Sequence, residues 1–303
     1  MRRTAFLAIV GCPNVGKSSL LNTLLGEKIA IVSNKPQTTR TRIMGLLTRN
    51  DRQLVFTDTP GIHRSRTKLG EHMMQAVQES VDGVDAVILV VSAQSKTPRD
   101  EETRLLERLQ KSRTPVLLAI NKIDLQEQKE TVAAQIAQWS ERFDFAAIVP
   151  ISVKTGDNMD ALRNEIFSLF KLPNFTAGDG FYFPEDTLTD QPERVIAAEL
   201  IREQILRYMD QEIPHGTMVV VEKMKEREGA DLIDIEANIF CERDSHKGML
   251  IGKGGAMLKR ISTAARLEME RFFSCRIHLQ CWVKVKEGWR DRESVLRDFL
   301  PQK

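Results

Sequence analysis

The feature that most constrains the fold is Gly11-Cys12-Pro13-Asn14-Val15-Gly16-Lys17-Ser18, a G-x-x-x-x-G-K-[ST] pattern lying between an apolar run, 6–10, and a helical stretch, 18–25. Strand before and helix after are the context in which this pattern forms a phosphate cradle rather than a chance glycine-rich turn. Its glycines let backbone N–H groups approach phosphate oxygens, and the helix N-terminus favours negative charge. Lys17 is placed to reach β- and γ-phosphates, and the Ser18 hydroxyl to ligate Mg²⁺, with Ser19 next along the same helix.

The same rhythm continues for about 170 residues. Apolar strand-like runs at 54–57, 86–91, 116–120 and 147–151 alternate with amphipathic stretches at 69–82, 100–111, 131–142 and 160–170. Uninterrupted apolar strands separated by helices predict a mostly parallel sheet covered on both faces, hence a doubly wound α/β domain. Residues 43–48 are expected to add an antiparallel edge strand. From 171 to 192 the chain carries Pro173, Gly178, Gly180, Pro184 and Pro192 without either periodicity, which reads as a linker. Beyond it come a helix (193–208), two alternating strands (218–225 and 232–240), a short helix, a glycine loop, a long helix (256–272), a strand (276–284) and a final helix (291–300). Grouped strands with helices to one side predict a separate α+β domain. The expected organisation is therefore 1–172, a linker at 173–192, and 193–303.

No apolar run approaches the roughly 20 residues of a membrane-spanning helix. The short apolar run after Met1-Arg2-Arg3-Thr4 leads into a glycine loop rather than a cleavage site, so no signal peptide is expected. Cys12, Cys241, Cys275 and Cys281 form no CxxC pair, a usage suited to a reducing cytosol, and the five histidines lack metal-ligand spacing. The net charge of +2 hides a split, because residues 244–290 carry ten Lys/Arg against four acids. That excess fits a polyanion partner or a solvated charged face, and charge alone does not decide between them.

Two further motifs complete a nucleotide site. Asp58-Thr59-Pro60-Gly61 ends a strand, where a carboxylate faces the ligand crevice of a doubly wound sheet. There Asp58 can hold the magnesium shell and the Gly61 N–H can sense a γ-phosphate. Asn121-Lys122-Ile123-Asp124 follows the strand at 116–120. Guanine offers two adjacent donors that one carboxylate accepts together. Adenine would leave the Asp124 carboxylate unpaired, which is costly. Lys122 can lie over the ring plane, and Ser152-Val153-Lys154 is positioned to close on the base.

Motifs of these kinds in this order resemble the GTPase superfamily. Gly-x-Pro-Asn-Val-Gly-Lys-Ser is typical of translation-factor-like bacterial GTPases, and Lys35-Pro36-Gln37-Thr38-Thr39-Arg40 is similar to the first switch of the Era family. By that resemblance Thr39, more than Thr38, completes the magnesium shell. Ile62 stands where many relatives carry a water-orienting glutamine, and an aliphatic chain cannot hydrogen-bond water. The resemblance implies that Asn14 instead helps hold a monovalent cation, typically K⁺. Arg40 and Arg42 are read as solvent-exposed switch residues rather than catalytic arginines in cis.

In the C-terminal part, Gly252-Lys253-Gly254-Gly255 after Met249-Leu250-Ile251 fits the GxxG loop of a KH domain. Alone, such a loop is often a helix C-cap with a turn. The order helix, strand, strand, helix, GxxG, helix, strand resembles the prokaryotic, type II KH topology. Lys253 can contact phosphate, Ile251 borders the apolar groove, and Lys247, Lys259 and Arg260 flank the loop. Trp282 is expected in the core; Trp289 stays open between core and base stacking.

The resemblance to the Era family covers the whole chain. It implies a monomeric, cytoplasmic GTPase that uses GTP/GDP, Mg²⁺ and K⁺, binds the 3′ region of small-subunit (16S) ribosomal RNA and assists 30S subunit assembly. The alternatives are a membrane-associated signalling switch, peripheral to the inner membrane, and an RNA-binding protein whose nucleotide site is merely structural.

Overall fold

The structure, a computed structural model, describes residues 1–63, 67–95, 97–172 and 175–299. The chain divides into two compact units, the first made of Met1–Ala30 with most of the chain from Thr39 to Asp190, the second of Ile31–Thr38, a short piece ending at Glu71, and the chain from Gln191 onward.

The first unit is built on one sheet. Its strands are β1 (Arg3–Val10), β2 (Ile43–Arg49), β3 (Arg52–Asp58), β4 (Ala86–Ser92), β5 (Val116–Asn121) and β6 (Ala147–Pro150), in the order β2-β3-β1-β4-β5-β6. Every pairing along that path is parallel except β2 with β3, as the edge position of β2 allows. The helices are α1 (Lys17–Leu25), α2 (Lys68–Val81), α3 (Asp100–Ser112), α4 (Lys129–Ser140) and α5 (Met159–Ser168). β4 is buried along nearly its whole length, which explains its unbroken apolar sequence: helices cover both faces. Strand order reverses about β1, so the crevice at its C-terminal end is where a doubly wound sheet takes its ligand. Register delivers the acidic and amide residues to that same end, with Ile9 opposite Asp58 and Ser92 opposite Asn121.

The segment expected to be a linker is packed against this sheet. β7 (Gly178–Asp179) pairs antiparallel with β1. The cause is a hub that no periodicity reveals, the fully buried Gln53 amide. Its Oε1 accepts from the N–H groups of Tyr182 and Phe183, each at 3.1 Å, while Nε2 donates to Phe183 O at 3.0 Å. The Thr189 hydroxyl donates to Met44 O at 2.6 Å. Pro173 lies outside the described residues.

In the second unit, α6 (Glu193–Tyr208), α7 (Asp244–Ile251) and α8 (Ala256–Phe273) accompany a three-stranded sheet of order β10-β9-β8. β9 (Leu232–Cys241) runs antiparallel to β8 (Met218–Glu226) and parallel to β10 (Arg276–Val285). The core joins Ile201 and Ile205 of α6 and Ile261 and Ala265 of α8 to Ile235 and Ile239 of the sheet. The short α9 (Glu293–Phe299) follows, and Leu300, expected in that helix, lies outside the described residues. Trp282 is corrected: it is 44% exposed, because alternation along β10 puts it on the face opposite Val283. Trp289 is the fully buried one, its indole N–H donating to Gly216 O at 3.0 Å. Arg202 is also fully buried; its guanidinium pairs with Glu199 and donates to the carbonyls of Gln37 and Thr38. Among the described residues no helix is long and apolar enough to cross a membrane.

Candidate nucleotide site and RNA-binding loop

The loop from Gly11 to Ser18 is shaped by backbone conformations that side chains resist. Gly11 (φ +149) and Gly16 (φ +101) lie where a Cβ would come within 2.2 Å of Val90 O and 2.4 Å of Asn121 Nδ2, respectively. Lys17 is buried; its ammonium donates to Gly11 O and Cys12 O, both at 3.1 Å, so the loop curls around its own cation. Burial holds the Lys17 pKa below the ordinary lysine range.

Opposite it lies Asp58, fully buried, with Oδ2 accepting from Ser18 Oγ at 2.6 Å and from Thr39 Oγ1 at 3.3 Å. The two hydroxyls are 2.8 Å apart. Thus the three side chains expected around a magnesium ion converge. Asp58 Oδ1 is buried with no hydrogen-bond partner. Burial pushes the Asp58 carboxyl pKa up, while Lys17 and the two hydroxyls oppose that shift. Asp58 and Lys17 attract one another, yet the carboxylate keeps one orphaned oxygen and the ammonium is short of solvent. A divalent cation and a phosphate supply what each lacks, so the donor set fits Mg²⁺ with a triphosphate.

Asn121 ties the loops together. Its Nδ2 donates to Val15 O at 2.8 Å, while Oδ1 accepts from Lys122 N at 2.8 Å and Val153 N at 3.1 Å. Lys122 donates to Asn14 O at 2.6 Å. Asp124 accepts from Ser152 Oγ at 2.7 Å through Oδ1, which fixes the carboxylate. The exposed Lys154 follows on the same loop. Thr59 donates to Ile9 O at 2.9 Å and acts as a brace, beside the buried Pro60. At Gly61 a Cβ would sit 2.8 Å from Pro13 Cα, so this strand end lies against the phosphate loop. Ser19 sits half-buried in the first turn of α1.

Two features escaped the sequence reading. The Cys12 thiol is pushed up to about 12 by burial and by Glu102, a nearly fully buried acid on α3 to which it hydrogen-bonds. Arg40, expected at the surface, is 5% exposed, whereas Arg42 is exposed. Charge alone argues for exposure, and only packing reverses it.

In the second unit α7 breaks at Gly252 (φ +71), where a Cβ would sit 2.8 Å from that of Met257. Gly254 (φ +59) and Gly255 (φ +80) have no atom within 4 Å of a would-be Cβ, leaving their backbone open to a ligand. Lys253, Lys259 and Arg260 are exposed nearby, while Lys247 and Ile251 are half-buried. The Arg260 guanidinium lies 4.2 Å over the Tyr208 ring, which holds it in one orientation.

Two family models match the chain. The family model described as a 50S ribosome-binding GTPase matches residues 6–122, and the KH domain model matches residues 212–290. The chain is 47% identical to GTPase Era of Ruminiclostridium cellulolyticum, covering 97% of this chain and 96% of that protein. It is 46% identical to GTPase Era of Clostridioides difficile, covering 99% and 98%. Among solved structures, a point variant of Aquifex aeolicus Era bound to GDP·AlF4⁻ superposes with a TM-score of 0.91 at 34% identity over 98% of each chain. Era in complex with MgGDPNP and nucleotides 1506–1542 of 16S ribosomal RNA does so with a TM-score of 0.91 at 33% identity over 99% of each.

Proposed function

The chain belongs to the Era family of GTPases, and from that premise we propose that it binds Mg²⁺ and GTP, hydrolyses GTP to GDP and phosphate, and grips the 3′ region of 16S ribosomal RNA through its KH domain during 30S assembly. The observation that carries the nucleotide half is the buried Asp58, drawn together with Ser18 and Thr39 and left with one unpartnered oxygen. The RNA half is supported by the open glycine backbone at 254–255 among exposed basic side chains. It is also supported by the relative solved with MgGDPNP and 16S nucleotides.

Each residue's part follows from its position. Lys17 turns from its two loop carbonyls to the β- and γ-phosphates, whose charge replaces the solvent it has lost. The Ser18, Thr39 and Asp58 oxygens hold Mg²⁺, which when bound neutralises developing phosphate charge. Gly61 presents its N–H beside the γ-phosphate. Asp124, braced by Ser152, accepts the two guanine donors, and Asn121 keeps that reader in register with the phosphate loop. No side chain at Ile62 can hold water; by the resemblance to the Era family, Asn14 would help hold a K⁺ ion that supplies positive charge.

Asp124→Asn tests the base reader. It should weaken GTP and favour xanthine nucleotide, whose C2 oxygen prefers a donor; an unchanged preference contradicts the assignment. Asn14→Ala should lose K⁺ stimulation of turnover, and a variant that keeps it removes the ion from that residue.

A further inference from the structure

Helix α6 buries charges on the side that faces away from its core. Helical spacing puts Glu199, Arg202 and Glu203 on one stripe, opposite Ile201 and Ile205, which enter the core of the second unit. Such residues ordinarily face water, yet Arg202 is 1% exposed and Glu203 7%. A buried charge needs partners, and here the main chain of residues 32–38, part of the same unit, supplies them.

Glu203 Oε1 accepts from Val32 N at 3.0 Å. Arg202, paired with Glu199, donates to Gln37 O at 3.4 Å and to Thr38 O. From within the segment, Lys35 Nζ donates to Asp210 Oδ1 at 2.8 Å and to Met209 O, just beyond the end of α6. The Thr38 hydroxyl closes the turn by donating to Lys35 O at 2.7 Å. Gln37 sits at φ +59, a conformation that costs an L residue free energy and persists where the surroundings hold it. Arg202 is the group that holds it, through the carbonyls on both sides of the Gln37–Thr38 peptide.

Thr38 belongs to the second unit and Thr39 to the first. Thr39 Oγ1 lies 2.8 Å from Ser18 Oγ and 3.3 Å from Asp58 Oδ2. One planar peptide joins the Thr38 carbonyl to the Thr39 N–H, so fixing that oxygen also fixes the direction in which the chain enters Thr39. A loop without this anchor would lose its backbone freedom only when the metal binds, which weakens binding.

We propose that Arg202 is a positioning residue for the nucleotide reaction, its hold on the Thr38 carbonyl preorganising Thr39 as a ligand for the Mg²⁺ that accompanies a nucleoside triphosphate. This rests on reading Ser18, Thr39 and Asp58 as the magnesium shell. Arg202 acts through one peptide bond and not on the phosphates themselves.

The test titrates Mg²⁺ into the full-length chain with a fluorescent, non-hydrolysable GTP analogue and follows binding. Arg202→Met keeps an unbranched apolar stem and removes every donor. Loss of a charge-assisted hydrogen bond should raise the Mg²⁺ midpoint about tenfold, with GDP affinity in EDTA within about twofold of wild type. Arg202→Lys, which keeps one charged donor, should fall between the two. In a Thr39→Ala background, Arg202→Met should raise the midpoint by less than about twofold further, because the ligand it positions is gone. Thermal melts check folding. A midpoint unchanged in folded Arg202→Met overturns the proposal, as does an effect that adds in full to that of Thr39→Ala. If Arg202→Met does not fold, Glu199→Gln loosens the same guanidinium from a half-buried position and should raise the midpoint about threefold; no change there is equally fatal. If Thr39→Ala alone leaves the midpoint at its wild-type value, the magnesium reading of Thr39 fails, and Arg202 with it. An effect of Thr39→Ala without one of Arg202→Met removes Arg202 alone.

Discussion

Gly16→Ala tests whether the base reader and phosphate loop form one unit. At φ +101, ψ 26, Gly16 lies beyond the left-handed region in which L residues are already penalised. That strain costs about 1–2 kcal/mol. The new methyl would also sit 2.4 Å from Asn121 Nδ2, the atom donating to Val15 O. Displacing the amide removes that bond and leaves a buried carbonyl unpaired, about 1–2 kcal/mol more. The total is about 2–4 kcal/mol. The free loop can relax by flipping, so most of this penalty should appear on nucleotide binding, as a loss of about 30- to 1,000-fold in affinity. Titration with a fluorescent GDP analogue, alongside urea unfolding in EDTA, reads both shares. Gly83→Ala is the control: at φ +77 with no atom within 4 Å of its would-be Cβ, it carries strain without collision. It should lower stability by about 1 kcal/mol and leave affinity within twofold. If Gly16→Ala binds GDP within threefold of wild type and unfolds no more easily than Gly83→Ala, the coupling through Asn121 is wrong.

Burial raises the Asp58 pKa, so between the ordinary carboxylate range and that raised value the folded chain binds more protons than the unfolded one, and this group's contribution to stability falls as pH rises. Without nucleotide, Asp58→Asn should therefore melt at or above wild type at neutral pH, with the advantage shrinking as pH falls from the raised Asp58 value toward about pH 4 and gone below it, while Mg²⁺-dependent nucleotide binding is lost. Melts across pH in EDTA that show the reverse order would contradict this. Gly254→Asp keeps a φ of +59 that aspartate tolerates, with open space around it. It should weaken binding of a 16S 3′ fragment at least tenfold by repelling phosphate, with GTP turnover unchanged; equal RNA affinity in a filter assay would clear the loop. Trp289→Phe strands Gly216 O and should cost about 1–3 kcal/mol in urea unfolding, whereas the half-exposed Trp282→Ala should stay within about 1 kcal/mol; the opposite ranking would refute the placement of the two indoles.

Local chemistry made much of this protein legible in one dimension. A phosphate loop needs contiguous residues, so Gly11 to Ser18 announces itself, and apolar runs such as 86–91 reveal parallel strands because both of their faces must be dry. The glycines at 252, 254 and 255 likewise carry their positive φ values in their identity. Other properties required the tertiary structure, because they depend on partners distant in sequence. The segment at 173–192 looks like a linker by composition, yet the Gln53 amide holds part of it against the sheet. Which tryptophan is buried depended on the parity of β10, and the burial of Arg40 on packing around it. The orphaned oxygen of Asp58 is also a feature of space. A sequence specifies which groups can accept a hydrogen bond, but only the folded chain determines which are buried without a donor, and those are the atoms that call for an ion or a water.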